Sequence, residues 1–146
     1  MLAIDGSIFS EAATDNLIDL AKPEGVEVRL LHVLEPFPQT LAETLGSKEN
    51  PNFDAARLKQ RERANQWLAR AREKLERAGF KVDSRIEEGE ARSMILCEAE
   101  EWDADLIVLG SHGRAGLDRF LIGSVSEAVA RHARCSVEIV RTRSAS

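Results

Sequence analysis

The sequence predicts an α/β protein with an open, five-stranded parallel sheet and helices on both faces. Three observations indicate this fold class. Short apolar runs alternate along the chain with longer segments of helical periodicity. The run Leu106-Ile107-Val108-Leu109 has no polar residue, as is typical of a strand buried on both faces. The chain then ends on a further strand pattern. Strands separated by helices favour parallel pairing, because a parallel connection must cross over the sheet.

Composition limits the class of protein. The 146 residues, 43% of them hydrophobic and 31% charged, fit one soluble domain spanning 1–146. A net charge of -5 argues against a general nucleic-acid surface. No run reaches the ~18 apolar residues that cross a bilayer, and the start lacks a signal-peptide pattern. We therefore expect a cytoplasmic protein with neither membrane nor nucleic acid as partner. Cys97 and Cys135 are too few for a disulfide framework and are expected to be packing residues.

The first half of the chain predicts two strands and two helices. A strand at 2–5 and a turn at Gly6 and Ser7 precede a helix that ends before Pro23 and Gly25. The second strand covers 26–33. Residues 35–51 form a long excursion with a short helix around 41–45, and residues 54–78 form a long helix. The apolar positions that share the inner face of the first helix are Phe9, Ala13, Leu17, Leu20 and Ala21.

The second half repeats this order. Gly79 is expected to cap the long helix, and residues 80–87 alternate between apolar and polar side chains, which indicates a strand near a sheet edge. A helix at 90–103, the strand at 106–109, a helix at 123–131 and a strand at 135–141 follow. The inward-facing residues of the last helix are expected to be Leu121, Ile122, Val125 and Val129.

Candidate binding residues follow three of the predicted strands. Asp5 ends the first strand, Val33 lies near the end of the second, and the glycine-rich segment 110–116 follows the fourth. Ligands of open parallel sheets bind beyond the carboxyl ends of the strands. These residues are therefore expected to share one site.

The glycine-rich segment suits a phosphate. Gly110 and Gly113 permit positive φ and close approach of backbone N–H groups to an anion. Gly123 and Ser124 then begin a helix, whose free N–H groups and dipole favour negative charge. Arg114 adds positive charge. The segment matches neither the P-loop nor the dinucleotide fingerprint, because their spacings are absent.

The spacing Gly110-x-x-Gly113, nine residues, then Gly123-Ser124 resembles the ATP-binding signature of universal stress proteins. Residues 3–7, 31–33, 105–113 and 135–141 extend the resemblance over nearly the whole chain. It implies the open five-stranded sheet and, in most members, a dimer that pairs through the last strand, here 135–141. It also implies ATP as the ligand, with Mg²⁺ accompanying it, and a nucleotide-dependent regulatory role in a stress response.

The resemblance assigns residues by position. The residue matching Asp5 contacts adenosine, and the backbone at Val33 contacts adenine. Ribose and phosphates are held by the residues matching Gly110, Gly113, Gly123 and Ser124, while Arg114 and Val125 fall within the matching stretch. No residue is assigned to catalysis or to a metal.

Alternatives remain open. A slow ATPase, or a phosphoryl- or nucleotidyltransferase, on the same fold would use His112, and a structural or redox role would use Cys97 and Cys135. Asp5 has an alternative role as a cap of the turn that follows it, and Ser124 as a simple helix start. AMP or a cyclic nucleotide is an alternative to ATP.

Overall fold

The computed structural model describes residues 1–46, 50–114 and 121–142. Helices and strands alternate as the sequence predicts. Expectations on Gly116 lie outside the described residues. The elements, in chain order, are β1 (Leu2–Ala3), α1 (Ile8–Leu20), β2 (Glu27–Leu34), α2 (Gln39–Leu45), α3 (Pro51–Arg77), β3 (Lys81–Glu88), α4 (Ala91–Glu101), β4 (Leu106–Gly110), α5 (Ser124–His132) and β5 (Ser136–Val140).

The five strands form one parallel sheet in the order β3-β2-β1-β4-β5. This confirms the predicted fold class and places β3 at an edge, as its alternating sequence indicates. Leu2 on β1 pairs with Leu30 on one side and Val108 on the other. The chain adds β2 and β3 on one side of β1, then crosses to add β4 and β5 on the opposite side. The change of direction between β1 and β4 is the topological switch point of the sheet.

Helices cover both faces of the sheet. Successive residues of a strand point to opposite faces, so Leu30 and Leu31 of β2 enter different cores. Helices α1 and α3 pack on one face, with Leu17, Leu68, Leu75 and Phe80 in that core. Helices α4 and α5 pack on the other face, with Ile95, Ile107, Leu109 and Val129 in that core.

The long helix begins earlier than predicted. Helix α3 starts at Pro51, not at 54, because the Asn50 side chain accepts a hydrogen bond from the Asn52 N–H at 2.9 Å. Proline suits the first helical position, where its missing N–H leaves no bond unmade. The end is as predicted, since Gly79 follows α3 with φ +94°. The short helix expected around 41–45 is present as α2.

Several burial predictions are wrong. Leu20, in the last turn of α1, is 70% exposed, and Leu121 and Ile122 are 65% and 39% exposed. The last two precede the first residue of α5, so helical periodicity does not apply to them. Cys97 is exposed because α4 buries Ile95, Glu98 and Ala99, and its thiol points away from that stripe. Cys135 is half-buried, and both thiols are free.

Among the residues that the structure describes, no helix combines the length and the apolar character needed to cross a membrane.

Candidate functional site

A cavity of about 480 Å³ opens at the carboxyl ends of β1, β2 and β4. It lies at the switch point of the sheet, where open α/β folds place their ligands. The structure brings all the candidate binding residues to this one cavity. They are Asp5, Val33, Gly110, Gly113, Arg114, Gly123, Ser124 and Val125.

The two carboxylate oxygens of Asp5 have different neighbours. Its Oδ1 accepts hydrogen bonds from the Ser7 backbone N–H at 3.0 Å and from the Ser7 hydroxyl at 2.6 Å. The Ser7 hydroxyl oxygen in turn caps α1 by accepting from the Ser10 N–H. Its Oδ2 lies beside Gly113, 3.0 Å from where a Cβ on that residue would stand. One oxygen therefore holds the turn, and the other lies against the glycine-rich segment.

Hydrogen bonds join the start of the glycine-rich segment to β5 and to α5. The Ser111 N–H donates to the Val140 carbonyl at 2.8 Å, and the Gly123 N–H donates to the Ser111 carbonyl at 2.7 Å. The Ser126 hydroxyl donates to the Gly110 carbonyl at 2.7 Å. The end of β4 and the start of α5 are thus joined directly at this side of the cavity.

Glycine is needed at these positions because neighbouring atoms pack closely against it, and not because the backbone has an unusual conformation. Gly110, Gly113 and Gly123 all have φ outside the positive range, so the positive φ that a glycine permits is not used at Gly110 or Gly113. A Cβ on Gly110 would lie 2.6 Å from the Cβ of Phe9. A Cβ on Gly123 would lie 3.0 Å from the Ser111 carbonyl oxygen. Gly110 therefore permits the packing of α1 on β4, and Gly123 the contact between α5 and the strand end.

The first turn of α5 lines the cavity. Gly123 is its N-cap, and among the described residues no side chain caps this end. The N–H groups of a helix's first turn have no partner within the helix, and they carry partial positive charge. The N-terminus of α5 is therefore available to an anion in the cavity.

Two rim residues carry no signal in the sequence. The Glu35 carbonyl, just beyond β2, accepts hydrogen bonds from Gln60 Nε2 and Arg57 Nη1, each at 3.2 Å. The Glu35 carboxylate accepts from the Ala91 N–H at 3.1 Å and so caps α4. Glu35 and Gln60 both line the cavity. The partners of Glu35 are 22 or more residues away, so no local pattern identifies this contact.

Two histidines lie at the cavity. His32 is buried, its Nδ1 lies 2.6 Å from the Ile4 carbonyl, and burial lowers its pKa below 6.5. His112 has Nδ1 3.0 Å from the Ser111 hydroxyl and its ring centroid 5.0 Å from that of Phe9. Its Nε2 is enclosed by protein. That enclosure disfavours His112 as a proton carrier for a ligand in the cavity.

Across 1–46, 50–114 and 121–142, no three histidine, cysteine, aspartate or glutamate side chains come together as a metal site.

The model of the universal stress protein family matches residues 1–141. The chain is 34% identical over 143 residues to universal stress protein YxiE of Bacillus subtilis, covering 97% of each protein. It is also 34% identical to the putative universal stress protein SSP1056 of Staphylococcus saprophyticus, covering 97% of this chain and 82% of the other. The chain belongs to the universal stress protein family.

Solved structures share the fold. The hypothetical protein MJ0577 superposes with a TM-score of 0.82 at 28% identity, covering 99% of this chain and 95% of the other. A family member from Arabidopsis thaliana with AMP bound gives 0.69 at 18% identity, covering 99% and 91%. A universal stress protein in complex with cAMP gives 0.64 at 23% identity, covering 97% and 94%. For the structures with AMP and with cAMP, at 18% and 23% identity, the likeness to this chain is one of fold.

Proposed function

We propose that this chain is a nucleotide-dependent regulatory module that binds ATP in the cavity between β1 and β4. The observation that carries the proposal is the convergence of the eight candidate residues, from four separate stretches of the chain, on one cavity. Two of the structural neighbours were solved with AMP and with cAMP, which supports an adenine nucleotide as the class of ligand.

One end of the cavity suits a base. Val33, Ala91 and Ile95 line it together with Leu31 of the sheet. Leu31 and Ile95 belong to the core between the sheet and α4, and Val33 packs against it. Together with Ala91 they present an apolar wall to a flat ring. Backbone groups at the end of β2 lie at the same wall, where they suit the polar edge of adenine. Asp5 stands between this wall and the glycine-rich segment, within the region that a ribose would occupy.

The other end suits phosphates. Gly113, Gly123 and the first turn of α5 bring backbone to the cavity without side chains in the way. The helix N-terminus and the Arg114 guanidinium both attract negative charge. The Ser124 hydroxyl adds a donor at the first position of α5. Mg²⁺ enters this proposal only as a companion of the phosphates, because polyphosphate itself supplies oxygen ligands.

The test begins with the protein as purified. Denaturing it and identifying released nucleotides by chromatography and mass spectrometry is expected to yield ATP. A folded Gly113→Ala, Gly123→Val double variant is expected to release none. Calorimetric titration of the emptied protein with ATP, AMP and cAMP, with and without Mg²⁺, then ranks the ligands. ATP turnover measured alongside separates a binding module from a slow ATPase.

Two results would overturn the proposal. One is a parent protein that releases no nucleotide and binds none when ATP and Mg²⁺ are added back. The other is a folded double variant that binds ATP as tightly as the parent. An Arg63→Gln variant, changed on an exposed part of α3 away from the cavity, serves as the control for handling.

We also propose a homodimer that pairs through the free edge of β5. Both edge strands are open within the described part of the chain, but they differ in character. The exposed residues of β3 include Lys81, Asp83 and Arg85, whereas β5 carries half-buried Val137 and Ile139. Charged edges resist pairing and apolar edges favour it. Light scattering is expected to give twice the monomer mass, and a monomer at micromolar concentration would contradict this.

A further inference from the structure

Trp67 on α3 contacts three separate parts of the cavity's surroundings. Its ring lies against Gly6, where an added Cβ would stand 2.1 Å from ring atom Cε2. Its ring centroid is 5.5 Å from that of His32 on β2. The Arg114 guanidinium carbon lies 4.9 Å from the same ring. Trp67 thereby connects the turn after Asp5 with the glycine-rich segment.

The contact between the Trp67 ring and the Arg114 guanidinium does not use the N–H donors of the guanidinium. A guanidinium over an aromatic face is attracted through its flat side. Its five N–H donors lie in its own plane and point outwards, where they match phosphate oxygens. Arg114 lines the cavity, so those donors lie at its rim. An exposed arginine without such support would lose more side-chain entropy on binding an anion.

We propose that Trp67 is a positioning residue that holds Arg114 at the phosphate end of the cavity, so that the site favours a nucleotide over its nucleoside. The inference rests on the proposed function, because it assigns the phosphates to the Arg114 end. Trp67 does not touch the ligand. It acts through Arg114, and its effect therefore appears only with ligands that carry phosphates.

The test compares ATP with adenosine by calorimetric titration. Trp67→Leu is expected to weaken ATP binding roughly two- to five-fold, the effect of one exposed cation–π contact. Adenosine binding is expected to stay unchanged. Trp67→Phe keeps an aromatic face and is expected to restore most of the affinity for ATP. In an Arg114→Gln background, Trp67→Leu is expected to have no further effect.

A matched control is present in the chain. The other tryptophan, Trp102, also stacks on an arginine, with the Arg29 guanidinium carbon 4.6 Å from its ring, but it lies at α4's far end. Trp102→Phe is expected to leave ATP affinity unchanged. It also leaves Trp67 as the only tryptophan, so that its fluorescence is expected to respond to ATP and not to adenosine.

The outcomes separate this inference from the proposed function. Loss of ATP and adenosine affinity together in Trp67→Leu, or a loss that persists in the Arg114→Gln background, would mean that Trp67 only packs. If Trp67→Leu does not fold, the variant of the exposed Arg114, Arg114→Gln, replaces it, and unchanged ATP affinity there would overturn the inference. A parent that binds neither ligand would overturn the proposed function and this inference with it.

Discussion

The Oδ2 atom of Asp5 lies 3.0 Å from the position that a Cβ on Gly113 would take, although 108 residues separate the two in sequence. This proximity joins the end of β1 to the segment after β4 across the switch point. A side chain at 113 would push against the one Asp5 oxygen that the Ser7 turn does not use.

We therefore expect Gly113→Ala to weaken ATP binding about tenfold or more, because it displaces a charged hydrogen-bond acceptor from the cavity. Stability is expected to change little, since the carboxylate can rotate away. Calorimetric titration measures the change in ATP affinity, and urea unfolding measures the change in stability. Asp5→Asn, which keeps an acceptor for the Ser7 turn, is the companion variant. Equal ATP affinity in the parent and in Gly113→Ala would contradict the prediction.

Gly110→Ala, in contrast to Gly113→Ala, is expected to lower the stability of the fold. The added Cβ would meet the Cβ and the main-chain carbon of Phe9 at 2.6 and 2.7 Å, and backbone cannot move aside as a flexible side chain can. Overpacking of this kind costs about 1–3 kcal/mol of unfolding free energy. Urea unfolding measures it, with Gly113→Ala as the paired control. The prediction fails if the two alanine variants unfold at the same urea concentration.

Stability is expected to fall on the acid side because of His32. Burial lowers the pKa of this imidazole below 6.5. Above pH 6.5, His32 is neutral in both folded and unfolded chains and adds no pH dependence. Below it, the unfolded chain takes up a proton that the folded protein excludes. The folded state loses up to ~1.4 kcal/mol per pH unit until the folded pKa is reached.

The matched variant for this prediction is His32→Asn, whose amide N–H can take the place of the imidazole Nδ1–H towards the Ile4 carbonyl. Unfolding free energies of parent and variant, measured from pH 7.5 to pH 5, are expected to converge as the pH falls. Two parallel curves over that range would show that His32 does not exclude its proton.

Cys97 is expected to be accessible but slow to react. Its Sγ lies 3.4 Å from Glu101 Oε1, and that hydrogen bond and negative charge raise the pKa of the thiol. In a Cys135→Ser background, Glu101→Gln is expected to speed alkylation at pH 8, since more thiolate forms. Glu62→Gln on α3 is the control and should leave the rate unchanged. A rate indifferent to Glu101 would show that the thiol's surroundings do not govern it.

The residues that the sequence pattern locates are those at strand ends. Asp5 and Gly110 follow apolar runs, and Val33 lies near the end of one. Because parallel strands bring their carboxyl ends to one edge, the meeting of these residues follows from the order of the elements alone. The glycine spacing adds Gly113 and Gly123 through the family resemblance. The physical reason for a glycine at Gly110 and Gly123 is the close packing of α1 and α5 against the end of β4, which local sequence does not predict.

The residues that the pattern misses depend on how α3 crosses the sheet. Trp67 falls in a helical stripe with Ala64 and Leu68, which are core residues, and nothing nearby distinguishes it from them. Its contact with Arg114 spans 47 positions of sequence. For Cys97 the error is the opposite one. The sequence predicts a packing residue, but its position on α4 lies just outside the face of the helix that packs on the sheet. Both depend on the rotation of a helix about its axis, which periodicity fixes only to within a residue.

Glu35, which lines the cavity, contacts helices on both faces of the sheet. Its carbonyl holds α3 on one face of the sheet, and its carboxylate holds α4 on the other. Glu35 is therefore hydrogen-bonded to a helix on each face of the sheet, so displacing this one residue from the cavity rim would break contacts to α3 and α4 together.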